Sequence, residues 1–397
     1  MNSDHEHLTP NPSPQGEGNS YTPLSLRRGG QGGEVPRHGA EVQRFLDKWY
    51  DSSPFIEVKT SGSTGLPKII RHRKEAMLKS AAMTCDFLGL KPGMTALICL
   101  STQNIAGMMM VVRAIERELK VIEVDAEVQS ELNSGGKAGS HPLKNVKPGT
   151  VIDFCAMVPA QVYNSLMVPE EKAKLELIRN LIVGGAPVSY NLQQLIRELP
   201  GNVYATFGMT ETMSHIALRK LNGAGASEDY TLLEGISVML GEAGNLIINA
   251  PYLSDEPIIT NDLAEITGPR TFKWLGRQDH VINSGGFKII PEHVEERISA
   301  VMAECLENDQ PSPEGQQSTQ RYFIASRPDE KLGEIPVMVI ELPYMTISDK
   351  IKTCLLAKLP SILARHEMPR EFLFTDKFIE TPTHKIIRSA TLKRVIG

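Results

Sequence analysis

The sequence lacks the features of several large protein classes. In its 397 residues no apolar run approaches the roughly 18 residues that a membrane-spanning helix needs. The opening MNSDHEHLTPNPSPQ contains no apolar segment, so we expect no secretory signal. A formal net charge of −5 argues against nucleic acid or a membrane surface as the main partner. We therefore expect a cytoplasmic protein.

Metal and disulfide patterns are also missing. The five cysteines are scattered and odd in number, with no CxxC pair, and the ten histidines form no HExxH motif. We therefore expect reduced thiols and no zinc cluster.

The composition divides the chain into a tail and a folded part. Residues 1–38 are rich in Pro, Gly, Ser and Gln, which cannot bury enough apolar surface to offset the loss of chain entropy, so we expect a disordered tail. A single RGG triplet there is too weak to indicate RNA binding. The remainder, with a chain-wide 41% of hydrophobic residues, can form a core. Its length favours two domains, which we place at 39–278 and 279–397.

Hydrophobic patterns predict an α/β fold. Val42, Phe45, Leu46, Trp49 and Tyr50 share one face of a first helix. Short apolar runs then alternate with helical stretches, which predicts a mostly parallel sheet with ligands at the carboxyl ends of its strands. The predicted strands are 96–101, 121–125, 153–158, 181–185 and 202–207. Residues 230–275 predict consecutive short strands, a β subdomain, and the last part of the chain mixes helix and strand.

The stretch TSGSTGLPK at 60–68 is unusual in its glycines, hydroxyls and terminal lysine. Glycine lets backbone N–H groups approach an anion closely, and lysine supplies charge, so the stretch is typical of a phosphate-binding loop. It is not a Walker loop, because Pro67 and Ile69 stand where that motif needs Gly and Ser/Thr. A surface turn remains the alternative.

Three further polar clusters stand at or near predicted strand ends. In ATFGMTETMS, Thr210 and Glu211 suit a phosphate oxygen and a magnesium ion at a strand-to-helix turn, or Thr210 is an ordinary helix N-cap. In TNDLAEI, Asp262 could bind ribose hydroxyls or belong to a turn. The third cluster is WLGRQDHVINSGGFKIIPEHVEE, at 274–296.

In this order, and with PTHKIIR near the end, the motifs resemble those of the adenylate-forming superfamily of acyl-CoA ligases, luciferases and peptide-synthetase adenylation domains. The resemblance covers essentially everything after the tail. It implies a large ATP- and acyl-binding domain followed by a small mobile domain that carries a catalytic lysine. It also marks this chain as shortened at its N-terminus, because family members usually have well over a hundred residues before the phosphate loop.

The resemblance also implies roles for individual residues. It assigns the phosphates of ATP to the loop residues Thr60, Ser61, Gly62, Ser63, Thr64, Gly65 and Lys68. It assigns the adenine to Gly184, Gly185, Ala186, Phe207 and Gly208, and the ribose to Asp262 and Arg277. Thr210 would meet the α-phosphate and Glu211 would hold magnesium. Asp279 would be the hinge and Lys385 the catalytic lysine.

The implied chemistry suits these residue types. A carboxylate that attacks the α-phosphate of ATP brings two anions together, so catalysis needs positive charge, for which Lys385, Lys68 and Mg²⁺ are the candidates. No general base is needed, since the carboxylate is already ionised at neutral pH. The acyl-AMP would then pass its acyl group to the thiol of coenzyme A.

The sequence departs from the family pattern at several positions. Phe207 replaces the usual Tyr, Asn261 replaces Gly in TGD, and His280 replaces the second Asp after the hinge. His384 replaces the Gly before the lysine. A catalytically inactive adenylate-binding module is therefore an alternative, against which the retained Lys385 argues.

The short chain most resembles the o-succinylbenzoate–CoA ligases of menaquinone biosynthesis. Other aryl- or acyl-acid CoA ligases and carrier-protein-loading enzymes stay open, and so does the oligomeric state, with a homo-oligomer as one option. Met209, Ser214 and His215 are expected near the acyl pocket. Arg113 could pair with a second carboxylate, but it lies opposite the apolar face of its helix, which favours a solvated arginine.

Overall fold

The computed structural model describes residues 22–23, 39–59, 69–124, 141–307, 321–342, 348–381 and 386–397. Two sets of predicted site residues, those at 60–68 and Lys385, lie outside the described residues. The predictions made for residues 1–38 are likewise outside, apart from Thr22 and Pro23.

The first helix forms as its apolar spacing predicts. Helix α1 (Ala40–Trp49) buries Val42, Phe45, Leu46 and Trp49. The prediction that Tyr50 shares the buried face is wrong, because the helix ends at Trp49 and the side chain of Tyr50 is 44% exposed.

The large sheet begins with a parallel half. Its strand order is β5-β4-β6-β7-β8, and the short strand β1 (Thr22–Pro23) pairs antiparallel with β5 at the edge. The strands are β4 (Thr95–Ile98), β5 (Lys120–Glu123), β6 (Phe154–Met157), β7 (Asn180–Val183) and β8 (Asn202–Gly208). The connecting helices are α2 (Lys74–Phe87), α3 (Ile105–Glu116), α4 (Pro159–Met167), α5 (Pro169–Leu175) and α6 (Tyr190–Ile196).

Alternate residues of these strands enter two separate cores. Ala96 and Ile98 pack in one hydrophobic cluster, whereas Leu97 and Cys99 pack in the other. Successive strand side chains point to opposite faces, so the sheet is covered on both sides. This confirms the predicted helix-covered α/β sheet.

The β-rich stretch continues the same sheet. Strands β9 to β14 extend it antiparallel, in the order β9-β10-β14-β13-β12-β11, to give twelve strands. They are β9 (His215–Lys220), β10 (Tyr230–Leu232), β11 (Ser237–Leu240), β12 (Asn245–Asn249), β13 (Ile258–Gly268) and β14 (Thr271–Arg277). The predicted short strands are present, but hydrogen bonds join them to the parallel half through β8 and β9.

A hairpin frames the phosphate-loop stretch. Strand β2 (Phe55–Lys59) pairs antiparallel with β3 (Ile69–Arg73), and Lys59 is the partner of Ile69. The chain therefore leaves and returns at neighbouring positions on either side of residues 60–68.

A second sheet with its own core follows Arg277. Its strands are β15 (Ile282–Ser284), β16 (Phe287–Ile289), β17 (Tyr322–Asp329), β18 (Gly333–Glu341) and β19 (Glu371–Thr375). Its helices are α7 (Pro291–Glu307), α8 (Ser348–Lys358) and α9 (Arg388–Ile396). The boundary of the small domain at Asp279 remains a prediction, and it falls in the 3₁₀ turn Gln278–His280 between the two sheets.

The expectation that all five thiols are reduced is wrong. Cys305 and Cys354 form a disulfide, with their Cα atoms 5.8 Å apart. The two residues are 49 positions apart and lie on α7 and α8, which pack around one core. Spacing alone could not reveal this pairing. Cys85, Cys99 and Cys155 are free and buried.

Within the described residues, none of the helices combines the length and apolar character needed to cross a bilayer.

Candidate active site

The turn after β7 can be made only by glycine. A Cβ on Gly184 would lie 2.2 Å from the Thr206 hydroxyl of the neighbouring strand β8. Gly185 has a φ of +86°, which side-chain-bearing residues rarely adopt. The predicted adenine residues Gly184, Gly185 and Ala186 therefore lie against the carboxyl end of β8, where Phe207 and Gly208 stand.

Phe207 forms part of an aromatic cluster. Its ring centroid is 5.1 Å from that of Phe272 and 5.6 Å from that of Tyr230. The ring is only partly buried, so an aromatic surface remains beside the glycine turn. This geometry suits a stacked base.

Thr210 and Glu211 lie on a turn between two strands. The predicted strand-to-helix turn is wrong, because β9 follows directly and pairs antiparallel with β8. The turn closes tightly: a Cβ on Gly208 would lie 2.4 Å from the carbonyl oxygen of Ser214. The buried Thr212 hydroxyl accepts a hydrogen bond from the Met209 amide (2.9 Å), so Thr212 holds the turn rather than Thr210 capping a helix.

His72 is a neighbour of this turn that the sequence analysis missed. It stands on β3, four residues after Lys68, and is 3% exposed. Burial lowers the pKa of His72, while a hydrogen bond to the Thr210 backbone and the charge of Glu211 raise it. Its Nε2 atom has no hydrogen-bond partner among the described residues. The strand that leaves the phosphate-loop stretch therefore runs beside Thr210 and Glu211.

The predicted ribose residues form a pair. Asp262 and Arg277 are register partners on β13 and β14, with Arg277 Nη1 3.9 Å from Asp262 Oδ1. Trp274 donates its indole N–H to the same carboxylate (3.0 Å). Burial raises the pKa of Asp262, whereas the Trp274 hydrogen bond and the Arg277 charge lower it. Asn261 has no positive φ, so its replacement of glycine causes no backbone strain.

The predicted hinge is tied to both sheets. Arg277 donates from Nε to Asp279 (3.0 Å), and His280 makes a hydrogen bond to Glu292 at the start of α7. The Glu292 carboxylate also lies 3.4 Å from Arg388, in α9. His280 thus has a carboxylate partner in the second sheet's own domain.

Arg113 is buried, which overturns the expectation of a solvated side chain. Residues Gly107 to Ala114 of α3 are buried all round the helix, so the face opposite its apolar stripe does not meet water. Arg113 is 2% exposed and donates from Nη2 to the Ser214 hydroxyl (2.6 Å). Burial lowers the pKa of Arg113 to about 10, so the guanidinium remains protonated at neutral pH.

His215 completes this buried cluster. Its Nε2 lies 3.0 Å from the Thr84 hydroxyl of α2, and its Nδ1 lies 3.4 Å from the Ser214 hydroxyl. Burial, and then the Arg113 charge, hold the pKa of His215 well below its ordinary value, so the imidazole is neutral. The placement of Ser214 and His215 near the acyl pocket remains a prediction; in the structure these two residues contact Arg113 and Thr84.

Glu211 suits a magnesium ion shared with a nucleotide. Within the described residues no three His, Cys, Asp or Glu side chains cluster as metal ligands would. Magnesium at nucleotide sites is commonly held by one or two carboxylates together with phosphate oxygens and water. Glu211 is an exposed carboxylate next to Thr210, which fits this arrangement.

Comparisons with known proteins agree with this geometry. Residues 58–236 match the family model described as AMP-binding enzyme. The chain is similar to the acyl-CoA synthetase (AMP-forming)/AMP-acid ligase II-like protein of Dyadobacter fermentans, at 36% identity and a TM-score of 0.56, over 90% of this chain and 94% of that chain.

Two o-succinylbenzoate enzymes are more distant relatives. The 2-succinylbenzoate–CoA ligase of Listeria monocytogenes is 22% identical over 370 residues, which are 88% of this chain and 72% of that protein. The fold matches the o-succinylbenzoate CoA synthetase (MenE) of Bacillus subtilis, solved with the acyl-adenylate OSB-AMP. The TM-score is 0.61 at 18% identity, over 84% of this chain and 68% of that chain.

Proposed function

This chain belongs to the AMP-binding family of adenylate-forming enzymes, and from that premise we propose that it is an AMP-forming acid–thiol ligase for o-succinylbenzoate. Its substrates are the acid, ATP with Mg²⁺, and coenzyme A. The relatives named for 2-succinylbenzoate support the choice of acid, but at 22% identity they do not carry it alone.

The observation that carries the choice of acid is the buried Arg113. No carboxylate in the described part of the chain forms an ion pair with Arg113, and its Nε atom has no hydrogen-bond partner there. A buried, unpaired charge costs several kcal/mol, on the order of the penalty for breaking a buried ion pair. An anionic ligand would offset that cost.

The acid that fits Arg113 has two carboxylates. Adenylation neutralises the carboxylate that it activates, so a simple fatty or aryl acid presents no anion to the pocket afterwards. o-Succinylbenzoate keeps a second carboxylate, which can accept a charge-assisted hydrogen bond from the guanidinium throughout the reaction. Arg113 contacts Ser214, which lies on the same turn between β8 and β9 as Glu211.

In the first half-reaction, a carboxylate oxygen of the acid attacks the α-phosphorus of ATP, and the bond to pyrophosphate breaks. Residues 60–68 would hold the departing phosphates between the paired strands β2 and β3. The glycine turn at 184–186 and Phe207 would bind adenine, and Asp262 with Arg277 would bind ribose. Glu211 would hold magnesium, which neutralises phosphate charge when bound. Lys385 and Thr210 would stabilise the charge that develops on the α-phosphate.

In the second half-reaction, the thiol sulfur of coenzyme A attacks the acyl carbon and AMP leaves. The family resemblance assigns this step to a second orientation of the small domain, reached by rotation about Asp279. The bonds from Asp279 to Arg277 and from His280 to Glu292 would then differ between the two orientations.

A panel of acids with and without coenzyme A tests the proposal. We expect pyrophosphate release to be fastest with o-succinylbenzoate and weak with benzoate, a medium-chain fatty acid, and 4-oxo-4-phenylbutanoate, which lacks the ring carboxylate. Arg113→Met should raise the KM for o-succinylbenzoate by on the order of 10²-fold or more, the cost of a buried charge-assisted bond. The matched control is Arg197→Met, because Arg197 is exposed and directly follows α6.

The outcomes separate the remaining candidates. Another acid that is better than o-succinylbenzoate by about tenfold in kcat/KM would refute the acid but keep the enzyme class. Acyl-AMP formation without transfer to coenzyme A would favour a carrier-loading enzyme. No pyrophosphate release with any acid would favour an inactive module.

A further inference from the structure

Arg113 is the end of a chain of four hydrogen-bonded side chains, of which Ser214 is half-buried and the other three are buried. Its Nη2 lies 2.6 Å from the Ser214 hydroxyl, which lies 3.4 Å from His215 Nδ1. His215 Nε2 lies 3.0 Å from the Thr84 hydroxyl, and this hydroxyl lies 3.2 Å from the backbone carbonyl of Ser80. The chain links α3, the 208–215 turn and α2.

The two ends of this chain fix the direction of every hydrogen bond in it. A guanidinium can only donate and a carbonyl oxygen can only accept. Thr84 therefore donates to Ser80 and accepts from His215 Nε2–H. The neutral His215 then accepts at Nδ1 from the Ser214 hydroxyl, whose lone pair accepts from Arg113.

The opposite direction leaves a hydroxyl unsatisfied. If His215 carried its proton on Nδ1, the Ser214 proton would need another acceptor. In the described part of the chain the Ser214 hydroxyl contacts only Arg113 and His215. The first arrangement gives the proton of this half-buried hydroxyl an acceptor within the protein, and it is therefore favoured.

From this chain of contacts we infer that Thr84 and His215 are positioning residues, which set the selectivity for a second carboxylate by orienting Arg113. The inference rests on the proposed function, because it takes Arg113 as the partner of that carboxylate. Ser214 accepts from one nitrogen of the guanidinium, and the buried Nε has no hydrogen-bond partner in the described part of the chain. Loss of the Thr84 hydroxyl would free the His215 ring and, through it, Ser214.

Substitutions at Thr84 test the inference against two acids that differ by one carboxylate. Thr84→Val removes the hydroxyl and keeps the shape, and Thr84→Ser keeps the hydroxyl. We expect Thr84→Val to raise the KM for o-succinylbenzoate by about tenfold, the value of one hydrogen bond in a charged network. The KM for 4-oxo-4-phenylbutanoate and both kcat values should hardly change, and Thr84→Ser should behave like the wild type.

Thr353→Val is the matched control. Thr353 makes the same hydrogen bond to the carbonyl four residues before it (2.8 Å, to Asp349) on α8, at an exposed position. Thr353→Val removes the same hydroxyl from a helix, and it should leave the KM values for both acids unchanged. Thr84→Ala is measured in parallel, so that a folding defect caused by the valine is recognised.

Each outcome has one meaning. If Thr84→Val and Thr84→Ala raise KM equally for both acids, or for neither, Thr84 does not position Arg113 and the inference is overturned. If the wild type itself prefers 4-oxo-4-phenylbutanoate, the proposed acid is wrong and the inference fails with it. Selectivity in the wild type that is lost in Thr84→Val and restored in Thr84→Ser supports both.

Discussion

Asp262 and Arg277 face each other across β13 and β14 as register partners, although they are separated along the chain by the turn that joins these strands. Their side chains approach to 3.9 Å, and Trp274, also on β14, donates a hydrogen bond to the same carboxylate. A carboxylate held by a cation and an indole N–H is fixed in place, and its free oxygen can accept from ribose hydroxyls.

We predict that Asp262→Asn raises the KM for ATP by about tenfold or more, because a neutral amide makes a weaker hydrogen bond than a charged acceptor. The amide oxygen can still accept from Trp274, so the fold should persist. Steady-state kinetics with varied ATP measure the effect, and Asp255→Asn, at an exposed acid in the loop between β12 and β13, is the control. An unchanged KM for ATP in Asp262→Asn would remove the ribose assignment.

The nucleotide side of the site could be predicted from the sequence because its signals are local. Gly184 and Gly208 have close neighbours on the adjacent strand and turn, and Gly185 has a positive φ, and such positions favour glycine in the sequence. Asp262 and Arg277 likewise belong to motifs that the resemblance identified. The strands that carry these residues were apparent from short buried apolar runs.

The contacts that Arg113 and His215 make could not be predicted, because their partners are distant along the chain. Arg113 meets Ser214 101 residues away, and Thr84 meets His215 131 residues away. Helical periodicity assigned Arg113 to a solvated face, but that assignment assumes that only one face of a helix is covered. Helix α3 is buried all round, which the sequence of the helix alone does not reveal.

Glu292 should contribute more to stability than an exposed glutamate. It is buried, makes a hydrogen bond with His280, accepts from the Arg277 amide (3.4 Å) and lies 3.4 Å from Arg388. We predict that Glu292→Gln lowers the free energy of unfolding by about 1–3 kcal/mol, because Arg388 then has a neutral amide as its partner in place of a carboxylate.

Urea unfolding of Glu292→Gln is compared with Glu304→Gln. Glu304 pairs with Lys358 at an exposed position, where such pairs contribute about 0–1 kcal/mol. Equal decreases in the free energy of unfolding of the two variants would show that Glu292 stabilises the fold no more than an exposed glutamate does.

The disulfide should be visible in a thiol count. Titration with a thiol reagent in denaturant, without reductant, should give the three free cysteines, and reduction should raise the count to five. With 49 residues between the linked positions, loss of the bond should cost about 4 kcal/mol in the chain-entropy view. Cys305→Ser should cost as much as the double substitution with Cys354→Ser. Five thiols before reduction would contradict the disulfide.

His215 should make the protein less stable as pH falls. Burial and the Arg113 charge place its folded-state pKa well below the ordinary 6.5, so below that pH the unfolded chain binds a proton that the folded protein does not. As the pH falls below 6.5, the free energy of unfolding therefore decreases by up to about 1.4 kcal/mol per pH unit. His72 and His293, whose pKa values are also lowered by burial, act in the same direction.

The variant His215→Gln isolates this contribution. It cannot take up a proton in the unfolded state, so its unfolding free energy should fall less steeply between about pH 6.5 and 5 than that of the wild type. The pH dependence of the unfolding free energy that comes from His72 and His293 is present in both proteins. Parallel curves would show that His215 titrates equally in both states.

The two half-reactions should respond differently to Lys385. Lys385 is predicted to supply charge to the α-phosphate in adenylation, and thioester formation has no such phosphorus centre. Lys385→Ala should therefore slow acyl-AMP formation by on the order of 10²–10³ or more, as for other lost donors to a transition state. The second step, started from supplied acyl-AMP and coenzyme A, should hardly change. Single-turnover measurements of each step provide the test.

Asp279→Pro is expected to give the opposite pattern. Asp279 lies in the 3₁₀ turn between the two sheets, and proline fixes the φ angle that a rotation there would have to change. A chain held in the orientation for adenylation should form acyl-AMP at nearly the wild-type rate and transfer it slowly. If Lys385→Ala slows both steps equally, Lys385 is not the catalytic lysine. If Asp279→Pro leaves transfer unchanged, the small domain does not rotate about Asp279.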